Sequence, residues 1–124
     1  MSTSGWAWGY PGRLGDSPVL GCGSYADSRW GAAASTGTGE VVLRMSTARS
    51  ILLYLKTGMK LDAAVREAMA DLRGLDDPLV DHIAVIALDR GGEHVGYSYR
   101  PDERYVYMSD AMSEPAEAEM PAPG

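Results

Sequence analysis

The run His82-Ile83-Ala84-Val85-Ile86-Ala87-Leu88 constrains the fold more than any other feature, because it is apolar at consecutive rather than alternate positions. Successive side chains of a strand point to opposite faces, so a strand of this kind reads as buried on both. Asp89-Arg90-Gly91-Gly92 follows as a hairpin turn signal. His94–Tyr99 then reads as the partner strand, and Tyr105–Met108 as the third strand of an antiparallel meander. A sheet built around a doubly apolar strand needs a layer against each face.

The preceding residues supply one such layer. Trp30–Ser35 reads as a short strand of small residues, suited to close approach by another layer. A helix is predicted over Glu40–Lys56, stopped by Gly58. A second follows at once, with Leu61, Ala64, Val65, Ala68, Met69 and Leu72 forming one continuous stripe at helical spacing. Asp62 near its start and Arg73 near its end suit the helix dipole, and Pro78 closes the helical region. The order predicts an α+β fold, an antiparallel sheet with two helices on one face. Nothing in the sequence is left to cover the other face, so that cover is expected from outside these 124 residues.

The apolar fraction of 45% is enough for one core. Residues 1–109 are expected to form that domain. Residues 110–124, rich in Ala, Glu and Pro, with Asp110, Glu114, Glu117 and Glu119 uncompensated by any cation, are expected to be a disordered tail. A net charge of −6 with no basic face argues against nucleic acid and anionic membranes as partners. No apolar run approaches membrane-spanning length. The first residues lack the basic and apolar regions of a signal peptide. The compartment is left unassigned, cytoplasmic if the chain is complete as given. A single cysteine, Cys22, forms no internal disulfide, and His82 and His94 are not spaced to build a metal site with it.

The chemistry concentrates in the glycine-rich first forty residues. In Gly12-Arg13-Leu14-Gly15-Asp16-Ser17-Pro18, Arg13 offers a planar fork for a carboxylate and Asp16 an acceptor for an ammonium. Together they suit the zwitterionic end of an α-amino acid; an Arg–Asp surface pair in a turn is the blander alternative. In Ser35-Thr36-Gly37-Thr38-Gly39-Glu40, the backbone at Thr36-Gly37 precedes a helix and suits a developing oxyanion. An ordinary N-cap at Thr36 or Thr38 is the alternative. No lysine follows in the manner of a phosphate-binding loop. Trp6, Trp8, Tyr10 and Trp30 could line a pocket or a core. Cys22, between Gly21 and Gly23, reads as a packed small residue, and His82 and His94 as structural.

Taken in order, the Gly-Arg-x-Gly-Asp-Ser-Pro element, the Gly21-x-Gly23-x-Tyr25-x-Asp27 element and the Ser35-Thr36-Gly37-x-Gly39-Glu40 element resemble the small subunit of glycosylasparaginases. They also resemble the related plant-type asparaginases and isoaspartyl peptidases, N-terminal-nucleophile hydrolases that cleave themselves to expose a catalytic threonine. The resemblance is tightest over residues 2–44 and extends more loosely to about residue 109. It implies the C-terminal part of an αββα sandwich whose second sheet comes mainly from the preceding subunit. It assigns Arg13 to the substrate α-carboxylate, Asp16 to the α-amino group, and Thr36 and Gly37 to the oxyanion and amide oxygen. Thr3 would be the threonine that orients the nucleophile. The nucleophile itself precedes this element in the family and would lie ahead of Met1, so none of this chain's residues takes that role.

The resemblance thus implies a large, N-terminal subunit or upstream segment as partner, an asparagine or aspartyl amide as substrate, and no metal or organic cofactor. The chain is expected to be a fragment of an amidohydrolase acting on N4-substituted asparagine, inactive alone. The Ser2-Thr3-Ser4-Gly5 wording tilts it toward glycosylasparaginase. An isoaspartyl peptidase or plant-type asparaginase fragment, or a non-catalytic remnant that only binds or packs, are the alternatives.

Overall fold

The structure, a computed structural model, describes residues 11–124. Thr3, Trp6, Trp8 and Tyr10 lie outside the described residues. The elements run β1 (Ser24–Asp27), β2 (Gly31–Thr36), α1 (Gly39–Met45), α2 (Thr47–Lys56), α3 (Leu61–Arg73), β3 (Ala84–Asp89), β4 (His94–Ser98), β5 (Arg104–Tyr107) and β6 (Ala116–Glu119), with a 3-10 turn over Pro78–His82. β1–β4 form one antiparallel sheet in sequential order, and β5 and β6 form a separate two-stranded ribbon. The fold is α+β, with its helices on one face of an antiparallel sheet.

The helix-facing side is the core. Tyr25, Ala33, Ser35, Val85, Ala87, Val95 and Tyr97 share that side through the strand registers. Against them α3 turns the predicted stripe, and Ala64, Val65, Met69 and Leu72 are wholly buried. Burial of a side chain the size of Leu or Met contributes about 1.5–3 kcal/mol, enough for this stripe to decide which way α3 faces.

The single helix expected over 40–56 is instead two. Ser46 adopts a left-handed conformation (φ 46°) and both closes α1 and opens α2. The cause is tertiary: the backbone N–H groups of Ala48 and Arg49 donate to the carbonyls of Cys22 and Gly21, at 3.2 and 2.8 Å. The loop before β1 therefore satisfies donors that a continuous helix would have satisfied itself.

β3 begins at Ala84 rather than His82, because the 3-10 turn buries Val80 and ends with Ile83 N–H donating to the Val80 carbonyl. The β3–β4 hairpin closes as expected. Asp89 accepts from Gly91 and Glu93 N–H at 2.7 and 3.1 Å, an acceptor that shapes the turn.

β5 does not continue the meander. It pairs with β6, inside the segment whose composition led to an expectation of disorder. The ribbon folds back across β4: Tyr105 donates to or accepts from His94 Nδ1 at 2.7 Å, and a side chain at Gly96 would stand 2.7 Å from the Tyr105 ring. Met120 is buried, and Ser98 N–H donates to the Pro121 carbonyl, so the tail is tied to β4 at its end. Composition missed this because alternation in Ala116–Glu119 is Ala/Glu, too weakly apolar to read as a strand.

The second face of the sheet is where the doubly apolar strand leaves its mark. Ala32, Ala34, Ile86 and Leu88 point away from the helices, and the ribbon covers only the β4 side. Ile86 and Leu88 remain 42% and 48% exposed. They line a groove of about 960 Å³ between the sheet and the ribbon, with Val106 and Met108 opposite.

Candidate functional site

The two glycine-rich elements singled out by the sequence come together at the C-terminal end of β2. The loop holding Arg13 and Asp16 is shaped by its backbone. Gly12 takes a left-handed φ of 84°, and the Asp16 carbonyl accepts from Val19 and Gly23 N–H at 3.0 and 3.2 Å. Ser35 N–H then donates to the Gly23 carbonyl at 2.9 Å, joining the loop to β2.

Asp16 is buried, 5% exposed. Ser35 Oγ donates toward its Oδ2 at 3.2 Å, with the Cys22 and Gly23 carbonyls at 3.4 Å as competing acceptors for the same proton. Gly39, the first residue of α1, lies directly against Asp16. A Cβ at that position would stand 2.7 Å from the Asp16 backbone nitrogen and 2.8 Å from Oδ1. The absence of a side chain at Gly39 therefore lets the start of α1 meet the carboxylate.

Arg13 pairs with Glu40, not Asp16. Its Nε donates to Oε1 at 2.8 Å and its Nη2 to Oε2 at 3.0 Å, a two-point contact. The hydrogen bonds to Glu40, ahead of the weaker attraction of Asp16, push the guanidinium further toward its charged form. In return, the hydrogen bond from Arg13 holds Glu40 below the usual carboxylate range. Arg13 also lies over Gly15, where a Cβ would stand 2.8 Å from Nη1. The blander surface-pair reading of Arg13 with Asp16 thus had the wrong acid.

Thr36 is the last residue of β2 and is exposed. Gly37 follows with φ 120°, and a Cβ there would stand 2.0 Å from the His82 carbonyl oxygen. Both the left-handed backbone and the close approach require glycine. Thr38 occupies the N-cap of α1, but its side chain makes no capping hydrogen bond. The N-cap position therefore falls on Thr38, leaving Thr36 at the end of β2 and Gly37 in the turn between strand and helix.

Arg13, Asp16, Thr36 and Gly37 are brought to one end of the sheet through Ser35, Gly39 and Glu40. The sequence reading gave those three no role. The signal that could have found Glu40 is an unmatched acid within the second motif, but its pairing with a residue 27 positions away is invisible without the fold. Cys22 is buried, its Sγ 3.6 Å from Ser46 Oγ and 3.9 Å from the Leu43 carbonyl oxygen. His94 stacks on Tyr107 at 4.1 Å, away from this site. Among the described residues no group of three His, Cys, Asp or Glu side chains could hold a metal ion, and no helix is long and apolar enough to cross a membrane.

The sequence matches the family model described as Asparaginase over residues 1–114. It is 30% identical over 113 residues to a probable isoaspartyl peptidase/L-asparaginase 3 of Arabidopsis thaliana, covering 91% of this chain and 31% of that protein. It is 34% identical over 105 residues to the plant-type L-asparaginase of Pyrococcus horikoshii, covering 84% of this chain and 33% of the relative. A putative N(4)-(beta-N-acetylglucosaminyl)-L-asparaginase of Drosophila grimshawi is 36% identical over 108 residues, covering 86% of this chain and 26% of the relative. The chain thus spans about a third or less of the length of these curated relatives.

Proposed function

The chain belongs to the asparaginase family, and on that premise we propose that it is the small-subunit part of an amidohydrolase that cleaves the side-chain amide of an asparagine derivative. The observation that carries this reading is the convergence of the Arg13–Asp16 loop on the β2–α1 turn, with a buried carboxylate and a fixed guanidinium at one end of the sheet. Arg13 takes the substrate α-carboxylate and Asp16 its α-ammonium. The side-chain carbonyl is thereby directed toward Thr36 and Gly37.

A threonine supplied from outside these 124 residues attacks the amide carbon through its hydroxyl, and its own N-terminal amine accepts the proton. The electron pair of the C=O moves onto oxygen, which Thr36 and Gly37 stabilise. The N-terminal amine returns the proton to the departing nitrogen, whose expulsion leaves an aspartyl–threonine ester. Water, giving its proton to the same amine, then attacks the ester, releasing aspartate and restoring the threonine hydroxyl. By the family resemblance, Thr3 is assigned the role of orienting that nucleophile. This route needs neither metal nor organic cofactor. The leaving amine is proposed to be a sugar amine, following the Ser2-Thr3-Ser4-Gly5 wording; relatives named isoaspartyl peptidase/L-asparaginase keep a peptide amine or ammonia as the second reading.

The open sheet face fits the same proposal. Ile86 and Leu88 are the side chains a second sheet would cover, and the rest of an αββα sandwich would come from the large subunit or upstream segment. The purified 124-residue chain is expected to release no product from N4-glycosylated asparagine, a β-aspartyl dipeptide or asparagine. It is expected to bind L-aspartate saturably, with the binding lost in Arg13→Lys. Turnover by the chain alone, or aspartate binding indifferent to Arg13, would overturn the reading.

A further inference from the structure

We propose that Glu40 is a positioning and selectivity residue of the amino-acid clamp: it sets the orientation of Arg13 and favours ligands that carry an α-ammonium. The inference rests on the clamp reading of Arg13 and Asp16 above.

A guanidinium has a side edge, Nε with one Nη, and an end edge formed by the two Nη groups. Glu40 grips the side edge at two points, 2.8 and 3.0 Å. A two-point contact sets the plane of the group as well as its place, which a lone charge cannot do. In the clamp, a ligand carboxylate would meet the guanidinium at the orientation this grip sets. Glu40 is well placed for this work because its backbone is anchored. It follows Gly39, which abuts Asp16, and precedes Val41 and Val42, both fully buried. One turn of backbone therefore registers both halves of the clamp, touching Asp16 with one residue and gripping Arg13 with the next.

The charges point to selectivity. Arg13 is one cation facing two carboxylates, Asp16 and Glu40. A ligand bringing only carboxylates meets repulsion from both acids, whereas an α-ammonium supplies the cation that balances the second. Glu40 thus raises the preference for an amino acid over a plain dicarboxylate of the same length.

L-aspartate and succinate, titrated calorimetrically into the 124-residue chain, test this. Wild type is expected to prefer L-aspartate. Glu40→Gln should weaken L-aspartate roughly fivefold while leaving succinate unchanged or tighter, the size expected of a half-exposed ion pair. Glu40→Asp keeps the charge but is too short to reach both nitrogens, so it should lose affinity for both ligands and retain the preference. In wild type, the Arg13 Nε–H proton resonance should stay in its hydrogen-bonded position when L-aspartate saturates the site, a readout that needs no variant to fold.

Unchanged affinities and preference in both Glu40 variants, with Arg13→Lys still abolishing L-aspartate binding, would overturn the role of Glu40 and leave the clamp standing. Release of the Arg13 Nε–H from Glu40 on aspartate binding would do the same. Aspartate binding that is absent in wild type, or indifferent to Arg13→Lys, would remove the clamp and this inference together.

Discussion

Gly39 rests against Asp16 so closely that the smallest side chain at position 39 would stand 2.7 Å from the Asp16 backbone nitrogen and 2.8 Å from its Oδ1. Real Cβ contacts do not come this near backbone, so the start of α1 and the loop bearing Asp16 can only meet through a glycine. The same end of the sheet holds a stricter case at Gly37, whose φ is 120° and whose Cβ would fall 2.0 Å from the His82 carbonyl oxygen.

Gly39→Ala is therefore expected to push Asp16 away from α1, lowering stability by about 1–3 kcal/mol as overpacked sites do. Gly37→Ala should be worse, because it adds left-handed strain to a backbone collision. Urea unfolding of both variants measures this. Equal midpoints for the two variants, or a Gly39→Ala protein as stable as wild type, would contradict the packing described.

Ser35→Ala removes the hydroxyl that donates to the buried Asp16 carboxylate at 3.2 Å. Leaving a buried acceptor without its donor costs about 1–3 kcal/mol. Chemical denaturation should register that loss, and Asp16→Asn combined with Ser35→Ala should cost less than the sum of the two single changes. Strict additivity would mean that Ser35 and Asp16 do not interact.

Ile86 and Leu88 are large apolar side chains left half-exposed on the open sheet face. Replacing both with threonine should leave the unfolding midpoint nearly unchanged while reducing self-association in sedimentation velocity. Val85, one position away but facing the helices and 1% exposed, gives the contrast. Val85→Thr should destabilise by about 1–3 kcal/mol through a buried unpaired hydroxyl. Equal destabilisation at 85 and 86 would mean the faces are assigned wrongly.

Tyr54 donates its phenol to the Asp71 carboxylate, and that hydrogen bond, with burial second, raises its pKa to about 12. The unfolded value is about 10. A folded pKa above the unfolded one favours the protonated form, so its stabilising contribution is complete below about pH 10 and fades as pH rises through about 12. The ultraviolet difference titration between wild type and Tyr54→Phe should show one tyrosinate appearing near pH 12. A transition near pH 10 would show that the Tyr54–Asp71 bond does not form.

Much of the helical layer was legible from spacing. The stripe from Leu61 to Leu72 became α3 with every stripe residue buried, because amphipathic period and helix period coincide along one continuous segment. The break at Ser46 was not legible: it answers to the Gly21 and Cys22 carbonyls, which arrive from a loop more than twenty residues earlier. The pairing of β5 with β6 was missed for a related reason. The Tyr-rich strand looked outward along the chain for its neighbour and found it in a polar tail.

At the site, the residue types in Arg13, Asp16, Thr36 and Gly37 were enough to suggest an amino-acid clamp beside a turn, and their order along the chain was enough to name a family. By itself, then, the sequence determined what is local or additive: the helix periods, the hairpin turn, the apolar excess on both sides of β3 and the chemical types available at the glycine-rich elements. Only the tertiary structure decided that Arg13 is held by Glu40 rather than Asp16, that Ser35 and Gly39 frame the buried carboxylate, and which face of β3 is left open. These are contacts between segments distant in sequence, set by strand register and by glycines that admit close backbone approach, and neither property is written in any single stretch of residues.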